Sequence, residues 1–129
     1  MSTELLVLVV EDEYLDRLCA VEIIEEAGLT PIEAGSPMEA AELLKARSDI
    51  VMVIVGAEII QSPRGRELVL LLEEMSELVV LISCTHRLAA NHHLPNHGVL
   101  RTPFHRPSVV SELRRLSREL TAPPDTKWL

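Results

Sequence analysis

Short blocks of consecutive apolar residues recur along this chain, and they limit its fold more than any other feature. Leu5-Leu6-Val7-Leu8-Val9-Val10 stops at Glu11-Asp12-Glu13. Ile50 to Val55 stops at Gly56, and Leu78 to Ile82 stops at Ser83. A run of five or six apolar residues rich in β-branched side chains has no polar face, so as a strand it must be covered on both sides. Longer segments with helical periodicity lie between these runs. Strands that alternate with amphipathic helices close into a parallel sheet with helices on both faces, an α/β architecture. The length of 129 residues suits one domain, and 47% apolar content supplies a core for it.

Local signals give the order of elements. Glu13 to Ala27 has good helix formers and no Gly or Pro, and Gly28 follows as a left-handed C-terminal cap. Thr30 to Ala34 is a short second strand. Ser36-Pro37-Met38-Glu39 reads as a capping box, with Pro at the first helical position. The helix it opens runs to about Arg47 and turns Met38, Ala40, Ala41 and Leu44 inward. Gly56 to Pro63 reads as a loop, and Gly65 or Arg66 to Met75 as a helix with a leucine-rich face. Thr85 to Leu94 suggests a short helix before Pro95, and Val99-Leu100 a brief fifth strand closed by Pro103. Val109, Val110, Leu113, Leu116 and Leu120 mark a last helix, with Arg114, Arg115 and Arg118 off its stripe. The expected layout is a domain over residues 1–120 and a tail over 121–129, with five strands in all.

Composition narrows the function. The formal charge is −8, whereas binding to a phosphate backbone is driven by Lys and Arg. Tyr14, Phe104 and Trp128 are the only aromatics, too few for a base-stacking platform. No nucleic-acid partner is expected. No apolar run approaches the roughly 18 residues of a membrane span, and the N-terminus has no signal-peptide pattern. Two cysteines, Cys19 and Cys84, do not make a disulfide framework. A cytoplasmic protein without a membrane partner is the expectation. Cys19 is expected near the packed face of the first helix, and Cys84 as a small buried hydrophobe rather than a reactive thiol.

In an open parallel sheet the functional crevice lies at the carboxyl ends of the strands. Here those ends carry Glu11-Asp12, Gly56, Ser83-Cys84 and Arg101-Thr102. Val9-Val10-Glu11-Asp12-Glu13 after the first strand, the five β-α units, and Thr102-Pro103-Phe104 after the fifth strand resemble the receiver domain of two-component response regulators, over roughly residues 4 to 120. The resemblance implies a flavodoxin-like receiver fold and a role in phosphorelay signalling. It also implies an acidic pair for magnesium, a phosphate-accepting Asp ending the third strand, a hydroxyl ending the fourth, and a Lys before the Pro after the fifth. An aromatic residue three positions before that Lys often reports the state.

The match is partial. Glu11 and Asp12 fit the acidic pair and Ser83 the hydroxyl. The acceptor position falls on Gly56, the Lys position on Thr102 and the aromatic position on Val99. Glycine offers no nucleophile, so the expectation is a non-enzymatic, degenerate receiver that is not switched by aspartyl phosphorylation. With no output domain after the last helix, it is expected to stand alone and to act by docking to a sensor histidine kinase, another response regulator or its own copy. Arg106, Arg114, Arg115 and Arg118 form the candidate interaction surface.

Rival readings stay open at this point. Glu58, two residues past Gly56, has the strand parity to serve as a displaced acceptor. Arg101 neighbours the Lys position but alternation turns it away. The emptied crevice suits a small ligand or nucleotide if Arg64 and Arg66 hold an anion, although no phosphate loop of known spacing is present. Glu11, Asp12, Glu13 and Asp16 are either a residual magnesium site or carboxylates facing the dipole of the first helix. The second reading needs no third ligand, so no resident cofactor is expected. His86, His92, His93, His97 and His105 lack metal-ligand spacing and read as a polar segment. The tail ending in Trp128-Leu129 is either a groove anchor or a frayed terminus.

Overall fold

A computed structural model describes residues 4–85 and 97–121. The elements are β1 (Leu6–Val10), α1 (Tyr14–Glu26), β2 (Thr30–Ala34), α2 (Pro37–Ala46), β3 (Ile50–Gly56), α3 (Ala57–Gln61), a 3-10 turn (Pro63–Gly65), α4 (Arg66–Glu74), β4 (Val79–Cys84), β5 (Gly98–Arg101) and α5 (Arg106–Thr121). The five strands are all parallel in the order β2-β1-β3-β4-β5. This is the flavodoxin-like order, with its switch point between β1 and β3.

Strand parity divides the core in two. Leu8, Val10, Val53, Val55, Val80 and Ile82 face one side and pack on α2 and α4 through Ala40, Ala41, Leu44, Leu68 and Leu72. Val7, Val9, Met52, Ile54 and Leu81 face the other and pack on α1 and α5 through Ile23, Ile24, Val110, Leu113 and Leu116. Ile50 and Met52 belong to opposite cores despite equal parity, because the β1–β3 register shifts between Leu6 and Val7 and skips Val51.

Capping follows the sequence signals with one variation. Ser36 Oγ accepts from Glu39 N at 3.1 Å, but Glu39 Oε2 accepts from Gly35 N at 3.1 Å, one residue further back than the standard box. At the end of α1, Gly28 has φ of 84°, and the Leu29 amide donates to the Ile24 carbonyl at 3.0 Å, a Schellman closure. At the sheet edge, Thr30 N donates to Leu5 O at 3.0 Å, so Thr30 turns its backbone toward β1 and Pro31 turns its own outward.

Several sequence expectations are corrected. Met38 is 67% exposed. The inward stripe of α2 is Pro37, Ala40, Ala41 and Leu44, and Met38 lies about 100° off it. The expected loop from Gly56 to Pro63 contains the short helix α3, which buries Ala57 and Ile59. The last helix begins three residues earlier than its apolar stripe, and Leu120 near its end is partly exposed. Apart from Thr85, the expected helix Thr85–Leu94 lies outside the described residues, as do His86, His92, His93 and the tail after Thr121.

Candidate functional site

The carboxyl ends of β1, β3, β4 and β5 meet at one end of the sheet. Glu11 follows β1, Gly56 ends β3, Ser83 lies opposite Gly56 in the β3–β4 register, and Thr102 follows β5. Glu11 folds back over Gly56. A Cβ on Gly56 would lie 2.9 Å from Glu11 Oε1 and 3.2 Å from Oε2. The Ser83 hydroxyl donates to Glu11 Oε2 at 2.5 Å. The Glu11 carboxylate therefore occupies the space that a side chain at position 56 would enter.

This position shifts its chemistry. Burial raises the Glu11 carboxyl above its ordinary value of 4.5, because desolvation penalises the charged form. The Ser83 hydrogen bond and a backbone bond from Glu13 pull the other way, while the charges of Asp16 and Asp12 raise it further. Asp16 is raised too, first by burial and then by the neighbouring charges of Glu13 and Glu58.

Asp12 is held elsewhere. Arg64, in the 3-10 turn, places Nη2 2.5 Å from Asp12 Oδ2. Glu13 caps α1, its Oε1 accepting from Leu15 N at 3.0 Å. Thr102 is buried, its Oγ1 lies 2.7 Å from Thr85 Oγ1, and its amide donates to Cys84 O at 3.0 Å. The Thr102–Pro103 bond is cis. Between these groups lies a cleft of about 350 Å³ lined by carboxylates and hydroxyls, including Glu11, Asp16, Glu58, Ser83, Thr85 and Thr102.

The residues do not fit magnesium. A hard cation needs several oxygen ligands converging on one point. Glu11 is turned onto Gly56 and Ser83, Asp12 is turned onto Arg64, and β3 ends without a carboxylate. Among the described residues no group of three or more His, Cys, Asp or Glu converges well enough to hold a metal ion.

Other expected site residues are distributed differently from the sequence reading. Glu58 lies in α3, so strand parity no longer governs it, although it still lines the cleft. Arg64 is committed to Asp12, which removes it from the expected anion loop, and Arg66 opens α4 on the surface. Arg101 is exposed between buried Leu100 and Thr102, as alternation requires, and Val99 is exposed on the edge strand.

The arginine surface of the last helix is in large part internal wiring. Arg106 reaches Glu22 at 3.0 Å and Glu26 at 2.9 Å on α1. Arg114 donates to the Glu26 carbonyl at 3.1 Å, a cation at the C-terminal end of the α1 dipole. Arg115 pairs with Glu112 and Glu119 on its own helix. Arg114 and Arg118 have no ion-pair partner among the described residues. The ties of Arg106 and Arg114 come from residues 80 to 88 positions away in the sequence, so no local pattern reveals them.

Cys19 is exposed, against the expectation that it packs, because the packed face of α1 is formed by Ala20, Ile23 and Ile24. Cys84 is buried in the core. Two histidines serve structure: His97 Nδ1 accepts from Val80 N at 3.1 Å, and His105 Nδ1 lies 2.6 Å from Ser108 Oγ. The sequence reading missed two features altogether, the fold-back of Glu11 and the apolar outer face of α1, where Tyr14 and Leu15 are 62% and 64% exposed.

The sequence matches no family model and no curated relative. Solved structures do match. A response regulator receiver protein from Pseudomonas putida is 19% identical with a TM-score of 0.73, the alignment covering 89% of this chain and 99% of that one. A signal receiver domain of an HD domain-containing protein from Pseudomonas fluorescens is 16% identical with a TM-score of 0.75, covering 93% and 100%. A response regulator from Thermotoga maritima is 18% identical with a TM-score of 0.73, covering 88% and 98%. At these identities the likeness is one of architecture, and it is unambiguous: the chain has the fold of a response-regulator receiver domain.

Proposed function

We propose that this chain is a receiver-like module of two-component signalling that takes up no phosphoryl group on an aspartate and works by docking to a partner protein, a sensor kinase or another response regulator. One observation carries the reading. β3 ends in Gly56, and the space above it is filled by the Glu11 carboxylate hydrogen-bonded to Ser83. Phosphoryl transfer to a carboxylate needs a nucleophile there and cationic groups around the transferred oxygens. Here the nucleophile is backbone, the residue before the cis Pro103 is Thr102, and Arg64 is paired with Asp12. The remaining charged groups lining the cleft are carboxylates, which repel phosphate.

Incubation with acetyl phosphate and magnesium, followed by intact-mass measurement, tests this. The expected result is an unchanged mass. A stable phosphoryl adduct, mapped to Glu11 or Glu58, would overturn the reading in favour of a displaced acceptor. The nucleotide-binding alternative is disfavoured because Arg64, one of the two arginines assigned to the anion, is already paired with Asp12.

A further inference from the structure

The end of the sheet opposite the crevice carries a groove of about 830 Å³. The start of β3, the connection from α4 to β4 and the last turn of α5 line it. Its apolar lining is Ile50, Val51, Met75, Leu78 and Leu120, of which Ile50 and Leu78 are buried. Leu120 continues the stripe of Leu113 and Leu116 by one turn, yet it is 36% exposed and lines the groove instead of the core.

Glu74, Glu77 and Glu119 add three carboxylates to this lining. Glu119 pairs with Arg115, whereas Glu74 and Glu77 have no ion-pair partner among the described residues. Arg47, next to Ser48 in the groove wall, is taken by Asp49. The groove therefore suits a large apolar side chain with a cation beside it.

The chain itself supplies that pair. α5 ends at Thr121, one residue past Leu120, so residues 122–129, which lie outside the described residues, set out from the edge of the groove. Pro123-Pro124 keep the helix from continuing. Residues 122–128 reach about 25 Å at most when extended, ample for a return to a groove that begins beside them. Lys127 and Trp128 are adjacent. An indole buries about 150–250 Å², and its N–H can donate to a carboxylate. Tethering holds the tail at an effective concentration that a free peptide of the same chemistry does not have. Residues 1–3 leave from the same end of the sheet, but no residue of β1 lines the groove and Met-Ser-Thr carries no charged side chain.

We propose that this groove is the docking site of the chain's own tail, with Trp128 inserted among Ile50, Met75, Leu78 and Leu120 and Lys127 facing Glu74 and Glu77. The docked tail ties α5 to the starts of β3 and β4 and covers apolar surface there.

Trp128 is the sole tryptophan, so its fluorescence reports the docking directly. The full chain is compared with a synthetic peptide of residues 122–129. The expected result is emission to the blue of the peptide's and acrylamide quenching that is severalfold weaker. Leu120→Gln with Met75→Gln is expected to return both to the peptide's values. Leu120→Gln alone, at a partly exposed position, is expected to move both in the same direction and serves where the double variant loses its circular dichroism signal. Glu74→Gln with Glu77→Gln is expected to raise quenching at low salt and to converge on wild type at high salt. Wild-type emission and quenching equal to the peptide's would overturn the proposal. So would a protected Trp128 that Leu120→Gln leaves unmoved, since the indole would then be packed elsewhere. Protection lost on dilution, together with a dimer in gel filtration, would overturn it in favour of a second copy's tail.

Discussion

Replacement of Gly65 by Ala is a demanding test of how the crevice is assembled. A Cβ at position 65 would lie 2.0 Å from the Ile59 carbonyl oxygen and 2.9 Å from its carbon. Contacts of this kind settle at about 3.5 Å, so the 3-10 turn and α3 must separate by about 1.5 Å. No flexible side-chain tip can yield here, because the obstruction is backbone. Ile59 is only 2% exposed, and its carbonyl also accepts from Ser62 N at 3.2 Å. Overpacking of this type costs about 1–3 kcal/mol, and a weakened turn hydrogen bond adds about 1 kcal/mol. Reduced freedom of the unfolded chain returns about 0.4–1 kcal/mol. The expected net loss is about 2–3 kcal/mol, or about 6–15 °C in melting temperature for a chain of this size. Urea unfolding followed by circular dichroism measures it. Gly98→Ala is the control, since its Cβ would meet only Leu81 Cδ2 at 3.5 Å. A Gly65→Ala stability within about 0.5 kcal/mol of wild type would refute the close approach, and with it the positioning of Arg64 over Asp12.

Three further outcomes are expected. Glu11 has a raised carboxyl pKa, so the folded state binds its proton more tightly than the unfolded state. Its contribution is present in full below about 4.5 and is lost as pH rises through the folded value; Glu11→Gln should therefore gain melting temperature over wild type as pH is raised from 4.5, and a constant or shrinking gap would refute this. Gly28→Ala should cost about 1 kcal/mol in urea unfolding, because its φ of 84° is left-handed while the space around it is open, which leaves conformation as the only penalty. Arg106→Ala should lower the melting temperature at low ionic strength and converge on wild type at high salt, as exposed ion pairs are screened; a loss unchanged by salt would mean that Arg106 acts through packing.

The strands were legible because burial on both faces leaves no polar residue in them, as in Leu6–Val10 and Ile50–Val55. The glycine C-cap and Ser36 were legible because capping is a contact within a few residues. α3 was not, since five residues between Gly56 and Ser62 carry too little periodicity to outweigh the turn signals around them. At the site, the residue types were readable and their partners were not. Glu11 meeting Ser83, Asp12 meeting Arg64 and Arg106 meeting α1 span 52 to 84 positions, and only the folded sheet brings them together. The outer face of α1 stayed hidden for a different reason: with apolar residues on both sides of a helix, sequence pattern alone does not say which side is inward.

The outward turn of Pro31 has a consequence for how this molecule meets others. β2 is an edge strand, and an unpaired edge ordinarily invites a foreign chain to extend the sheet. With Thr30 donating inward to Leu5, the outward positions of β2 are Pro31 and Glu33. The first has no amide hydrogen to offer and the second carries a charge. Growth by strand exchange is blocked along that border, which protects an apolar, all-parallel sheet against templated aggregation and leaves association on this flank to side chains rather than to backbone.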